Sequence, residues 1–205
     1  MNQSSILFTV CLVLGCSRPT LPLGADADLH QPSKPATRPT TCAANIPGVG
    51  NFAQVSEVLF RGEQPTAEGF AELKKRRVKT IVNLRSFHDD DALLQGTGLR
   101  YVHIRAKAWH PEDEDVVAFL KVVENPENQA VFVHCQQGSD RTGYMVAAYR
   151  IVEQGWTADD AIAEMQGFAF HPVWIDIPTY LKNLQVAAIR ASMASAKSPN
   201  VRIVE

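Results

Sequence analysis

The sequence predicts an α/β protein with a central, mostly parallel twisted sheet flanked by helices. Two observations predict it. Short β-branched runs alternate with segments of helical period, and one strand, "AVFVH" (Ala130 to His134), is apolar throughout, as a strand buried on both faces is. At 205 residues there is room for one ordinary domain and a tail. With a formal net charge of −2 and no basic stripe, nucleic acid is not an expected partner.

The N-terminal segment "ILFTVCLVL" (Ile6 to Leu14) is too short to span a bilayer, which takes about 20 residues, and fits the apolar stretch of a secretory signal. Overlapping its end, "VLGC" (Val13 to Cys16) resembles a bacterial lipobox, which would leave a lipidated Cys16, although residues 1–5 carry no Lys or Arg. A cut after "ADA" (Ala25 to Ala27) is the alternative and gives a soluble exported form. Residues 1–16 are therefore read as a signal peptide and 17–47 as a disordered, Pro-rich linker. The folded domain is placed at 48–195, and 196–205 is a C-terminal tail. Export leaves Cys42 and Cys135 as the internal thiols, too few for a disulfide framework.

The elements follow in order. "SEVLFRG" (Ser56 to Gly62) reads as a short strand, and Thr66 caps a helix whose face carries Phe70 and Leu73. "VKTIVNL" (Val78 to Leu84) and "LRYVHI" (Leu99 to Ile104) read as strands. Val116, Phe119, Leu120 and Val123 lie at helical spacing behind an acidic first turn. After the apolar strand come a helix over Thr142 to Gln154, a second opened by a Thr157–Asp160 capping box, and a last one from Ile177 to Ala194.

Chemistry is expected where the apolar strand ends, in "VFVHCQQGSDRTG" (Val131 to Gly143). A loop leaving a buried parallel strand meets the N-terminus of the next helix, where free N–H groups and the helix dipole favour an anion. Cys135 to Arg141 is long enough to curl into a backbone nest, with Gly138 permitting the turn. Arg141 can hold two phosphate oxygens with its planar guanidinium. Gln136, Gln137, Gly138, Ser139 and Asp140 supply the remaining phosphate contacts. Cys135 lies in that positive field, which favours a thiolate aimed at phosphorus. Thr142 can place a hydroxyl near the sulfur, and His134 orders the loop by bonding its backbone.

These residues resemble the cysteine-dependent phosphatases with the His-Cys-x5-Arg-Thr signature. The chain is most similar to the dual-specificity branch, and within it to compact bacterial periplasmic tyrosine phosphatases. The likeness runs from about Asn51 to Gln166, through "VLFRGEQP", "TIVNLRS", "HCQQGSDRTG", "MVAAYRIVEQGW" and "DDAIAEM". It implies the dual-specificity and tyrosine phosphatase fold, a phosphocysteine intermediate, no metal or other cofactor, and a monomer acting on phosphotyrosine proteins, with phosphoserine or phosphothreonine as further substrates. It also implies a carboxylic acid before the helix that leads to the catalytic strand, where "WHPEDEDVV" offers Asp113 as best match and Asp115 as second. The competing reading is a phosphoinositide or inositol polyphosphate phosphatase. Such enzymes carry basic residues inside the loop, whereas Gln136, Gln137, Ser139 and Asp140 are not basic. A phosphate-binding module without turnover is a third reading, and would need a damaged catalytic set.

Other polar clusters are assigned structural roles. "KKRR" (Lys74 to Arg77) closes a helix, the carboxylates of "HDDD" (His88 to Asp91) are expected in solvent, and Arg61 and Arg85 are expected to donate to neighbouring loops. Trp109, His110, Phe170, His171 and Trp174 are candidates for a pocket rim, with packing the plainer role.

Overall fold

The structure, a computed structural model, describes residues 43–200 and 202–203. The signal peptide, lipobox and most of the linker therefore lie outside the described residues. Seven strands form one sheet: β1 (Ala44–Ile46), β2 (Val49–Gln54), β3 (Leu59–Gly62), β4 (Thr80–Asn83), β5 (Arg100–His103), β6 (Val131–His134) and β7 (Arg202–Ile203). Their order is β1-β2-β3-β6-β4-β5-β7. The helices are α1 (Ala67–Lys75), α2 (Asp91–Leu94), α3 (Asp113–Glu124), α4 (Asp140–Val152), α5 (Ala158–Gln166), α6 (Asp176–Lys182) and α7 (Val186–Ser195).

The four central strands β3, β6, β4 and β5 are parallel, and β3, β4 and β6 are buried along their whole length, as a position covered on both faces requires. Antiparallel strands extend both edges: β2 on β3 and β1 on β2 at one side, β7 on β5 at the other. Three of these strands depart from expectation. β1 falls in the stretch read as linker, β2 was not foreseen, and β7 falls in the stretch read as tail. Short edge segments draw their stability from the partner strand rather than from their own apolar period, so they leave little trace in sequence.

One face of the sheet packs Phe60, Ile81, Tyr101 and Phe132 against Phe70 and Leu73 of α1 and Leu94 of α2. On the other face Val82, Val102, Val131 and Val133 pack against α3 to α7. Helix α4 is central to that layer, with every residue from Thr142 to Val152 buried. The single last helix expected over 177–194 is two. Asn183 ends α6 by donating its side-chain amide to the Thr179 carbonyl at 2.9 Å, the local competition for backbone groups that makes Asn a poor interior residue. The break lets Leu181 and Ile189 both reach the core.

The expected caps are present. Thr66 and Thr157 accept from the amides of Gly69 and Asp160, each at 3.2 Å. Helix α4 begins at Asp140, two residues before the expected start, so its first turn belongs to the loop.

Candidate active site

The loop from Cys135 to Arg141 leaves the carboxyl end of β6 and enters α4. Its carbonyls are drawn outward. The Gln136 carbonyl accepts from the Gln64 amide at 3.1 Å, and the Gln137 carbonyl from Asn51 Nδ2 at 3.1 Å. The Gly138 carbonyl accepts from Arg61 Nη2 at 2.6 Å. In a trans peptide the N–H points opposite to its carbonyl, so the N–H groups of Gln137, Gly138 and Ser139 are left on the concave side. No backbone amide from Gln136 to Thr142 bonds to another described residue. This is a backbone nest capped by a helix N-terminus, the arrangement suited to a tetrahedral oxyanion.

Gly138 has a φ of +67°, and a Cβ there would stand 2.5 Å from the Gly62 carbonyl carbon and 2.7 Å from the Glu63 nitrogen. Both are backbone atoms, so no side chain is tolerated and the loop lies flush on the β3 turn.

Cys135 is 3% exposed at the base of the nest and is a free thiol. Thr142, in the first turn of α4, is fully buried and its Oγ1 has no partner. Arg141 is half-buried on the same turn. Gln136 and Gln137 are exposed, while Gly138 and Ser139 are buried. The Asp140 carboxylate is turned away from the nest: it accepts from the His171 amide at 2.9 Å and faces His171 Nδ1 at 3.0 Å. Asp140 therefore offers the nest its backbone rather than its side chain, and His171 ties the α5–α6 connection to the loop.

Arg61 was expected only as a structural donor, and it lies closer to the site than that. It is 1% exposed, its guanidinium lies 3.8 Å from the Phe168 ring centre, and its Nε and Nη1 have no partner. Burial pushes its pKa down to about 10 against the charges of Glu164 and Cys135, which act the other way.

"HDDD" departs further from expectation. Asp90 is buried, not solvated. His134 Nε2 lies 2.9 Å from Asp90 Oδ2 and His134 Nδ1 lies 3.1 Å from the Cys135 carbonyl. The adjacent acids Asp89 and Asp91 are not buried. A run of three acids carries no periodicity that would single out the middle one.

The two candidate acids differ in setting. Asp113 is exposed, and the Tyr180 hydroxyl donates to its Oδ1 at 2.8 Å. It also lines a cavity of about 160 Å³ with Val117, Ser192 and Ala196. Asp115 is half-buried with Oδ2 unpartnered, and burial, helped by Glu112, raises its pKa. Its charge acts on Tyr144, which also feels Arg141 and Cys135. Of the rim candidates, Trp109 and His171 are exposed, and Phe170 and Trp174 pack on the core.

Comparison with known proteins places the chain. Residues 48–182 match the family described as "DSP-PTPase phosphatase fused to NAD+ Kinase". The dual specificity protein phosphatase TpbA of Pseudomonas aeruginosa is 32% identical over 172 residues, 82% of this chain and 78% of that one. The crystal structure of a Cys-to-Ser TpbA variant in complex with phosphotyrosine is similar at a TM-score of 0.68 and 30% identity, covering 78% of this chain and all (100%) of that one. The core catalytic domain of a Saccharomyces cerevisiae PP-IP phosphatase shares the fold, with a TM-score of 0.62 and 23% identity over 70% of this chain and 91% of that one. Inositol diphosphatase DSP2 of Oryza sativa subsp. japonica is 28% identical over 127 residues, 58% of this chain and 62% of that one. The chain belongs to the DSP-PTPase family and is a dual-specificity or tyrosine phosphatase, a phosphoric monoester hydrolase.

Proposed function

We propose that this enzyme hydrolyses phosphotyrosine in proteins, with phosphoserine and phosphothreonine as further substrates, through a phosphocysteine intermediate and without a metal. The observation that carries this is the set of outward-bonded carbonyls at Gln136, Gln137 and Gly138, which leaves the loop amides turned toward one centre above Cys135. The amides and Arg141 bind the three non-bridging oxygens of the phosphoryl group. The Cys135 thiolate attacks phosphorus in line, the bond from phosphorus to the leaving oxygen breaks, and Asp113 gives that oxygen its proton. The same carboxylate then takes a proton from water, which attacks phosphorus and breaks the P–S bond. Inorganic phosphate leaves and the thiolate returns. Thr142 stabilises the departing sulfur. A second assignment of the acid, Asp115, is favoured by its half-buried carboxyl and raised pKa.

Phosphotyrosine is preferred over inositol polyphosphates because the loop's variable positions Gln136, Gln137, Ser139 and Asp140 carry no base to balance a densely anionic ring. The TpbA variant in complex with phosphotyrosine supports the same choice. Phosphate release from a phosphotyrosine peptide and from inositol hexakisphosphate, measured side by side with the parent enzyme and Cys135→Ser, tests it. Turnover of the peptide by the parent alone is expected. Faster release from the inositol substrate would reverse the preference, and an active Cys135→Ser would remove the mechanism.

The N-terminal apolar segment and "VLGC" support export to the periplasm, with a lipid on Cys16 as the sole membrane contact and the enzyme acting as a monomer. Fractionation of a bacterial host that expresses the full chain, with Cys16→Ala alongside, tests this: the parent is expected in the membrane fraction and the variant in the periplasm.

A further inference from the structure

Exposed apolar side chains are not spread evenly over this surface. Phe87, Trp109, Val173 and Ile175 are each more than half exposed, and among the described residues only Leu93 of α2 joins them as a large exposed apolar group. Phe87 lies in the segment 84–90 after β4, Trp109 in 104–112 after β5, and Val173 and Ile175 in 167–175 between α5 and α6. Strands β6, β4 and β5 are parallel, so the first two segments leave the sheet at the same end as the loop from Cys135 to Arg141. The third is bonded to that loop: the His171 amide donates to Asp140 Oδ1, and Asn51 Nδ2 donates to the Phe168 and Gln137 carbonyls at 3.2 and 3.1 Å. All four side chains therefore belong to the end of the molecule where the phosphate nest opens. The segments are also held in place. Ser86 Oγ donates to the Ala106 carbonyl at 3.1 Å, which joins the Phe87 and Trp109 segments, and Lys107 Nζ donates to Glu112 Oε1 at 2.8 Å, which closes the turn carrying Trp109. Trp174 packs on the core and leaves its neighbours Val173 and Ile175 in solvent.

We infer, resting on the reading of this enzyme as a phosphatase of phosphotyrosine in proteins, that Phe87, Trp109, Val173 and Ile175 form an apolar rim that receives the polypeptide on either side of the phosphotyrosine. The rim selects substrates with large apolar residues next to that tyrosine. Continuity with the nest chooses the occupant. Cys135 is buried at the base of the loop, so a phosphate that reaches it carries its flanking residues to the rim. Peptide flanks of apolar character take carbon surface of both partners out of water, the gain that an exposed apolar patch holds in reserve. An inositol polyphosphate would instead set hydrated anionic groups against these side chains and gain nothing from covering them. Charge opposes an anionic lipid surface. Asp89, Asp113, Glu114 and Asp176 are exposed in or next to the same segments. With Lys107 paired to Glu112 and Arg85 bonded to Gln64, Arg105 is the exposed base set against them.

The test compares two phosphotyrosine peptides on the full chain, one with Leu and Phe on both sides of the phosphotyrosine and one with Ser at the same positions. The kcat/KM ratio of the apolar to the Ser peptide is expected to be about tenfold or more, the scale of covering one apolar side chain. In the double variant Phe87→Ser, Ile175→Ser that ratio is expected to fall toward one. Both positions are well exposed, so the fold tolerates the change, and the single variants decide if the double one does not fold. No preference in the parent overturns the inference, and so does a preference that the variants keep in full. Two other occupants are further ways for it to fail. Flotation of the unlipidated Cys16→Ala chain with vesicles of phosphatidylcholine and phosphatidylglycerol, lost on adding Phe87→Ser and Ile175→Ser, would assign the rim to a membrane. A dimer in sedimentation that the double variant dissociates would assign it to a second copy of this chain. Phosphate release from inositol hexakisphosphate but from neither peptide would defeat the reading of the substrate as a protein. Equal turnover of both peptides defeats the rim alone, so the two failures are distinguishable.

Discussion

The Tyr180 hydroxyl donates to Asp113 Oδ1 at 2.8 Å, joining the start of α3 to α6 across 67 residues. Burial, followed by the bond to Asp113 and its charge, raises the pKa of the phenol. If Asp113 is the proton donor, Asp113→Asn lowers the rate on phosphotyrosine by roughly 10²–10⁴-fold. It lowers the rate on an activated aryl phosphate much less, and the alkaline limb of the pH–rate profile is lost. If Asp115→Asn shows the leaving-group-dependent defect instead, the half-buried carboxyl is the acid and Tyr180 is a packing residue. Steady-state kinetics with two leaving groups decides.

Arg61→Met separates loop geometry from stability. The substitution leaves the Gly138 carbonyl without its donor, a cost of about 1–3 kcal/mol. It also removes two buried nitrogens that have no partner, which offsets part of that cost. The melting temperature is expected to move by a few degrees at most while vanadate affinity falls about tenfold or more. Unchanged vanadate affinity would show that Arg61 does not hold the nest in shape.

Arg141→Lys is expected to weaken both substrate binding and turnover, because a point charge cannot reproduce the two-oxygen contact. EDTA is expected to leave the parent's activity unchanged, and vanadate to inhibit it. Loss of activity on chelation, restored by a divalent ion, would count against the metal-free mechanism.

Glu153, at the end of α4, is held near Glu124 of α3, and its pKa is pushed up to about 7 by burial and by that second carboxyl. Below the ordinary carboxyl range both folded and unfolded chains hold the proton, and the site costs nothing. As pH rises toward 7 the unfolded chain releases the proton first, so stability falls, and above the folded value the penalty is complete. Glu153→Gln is therefore expected to melt with the parent at pH 4 and above it at pH 8. Calorimetry at the two pH values checks the sign.

What the sequence determined was local. The parallel strands announced themselves by β-branched runs, and the caps at Thr66 and Thr157 by residue type, because each depends on neighbours a few positions away. The loop from His134 to Thr142 was legible for the same reason: cysteine, turn glycine and guanidinium all fall within one strand-to-helix connection. Tertiary structure decided the rest. Asp90 and His134 lie 44 residues apart and meet because β4 and β6 are neighbours in the sheet. Arg61 reaches Gly138 across 77 residues because β3 flanks β6 on its other side. The antiparallel strands β1, β2 and β7 exist by pairing with what is already there. The setting of each acid also came from packing, since spacing in "EDED" cannot say which carboxyl is buried and which is held by Tyr180. Burial and long-range partners set the energies of these groups, and neither is a property of the neighbouring residues in the chain.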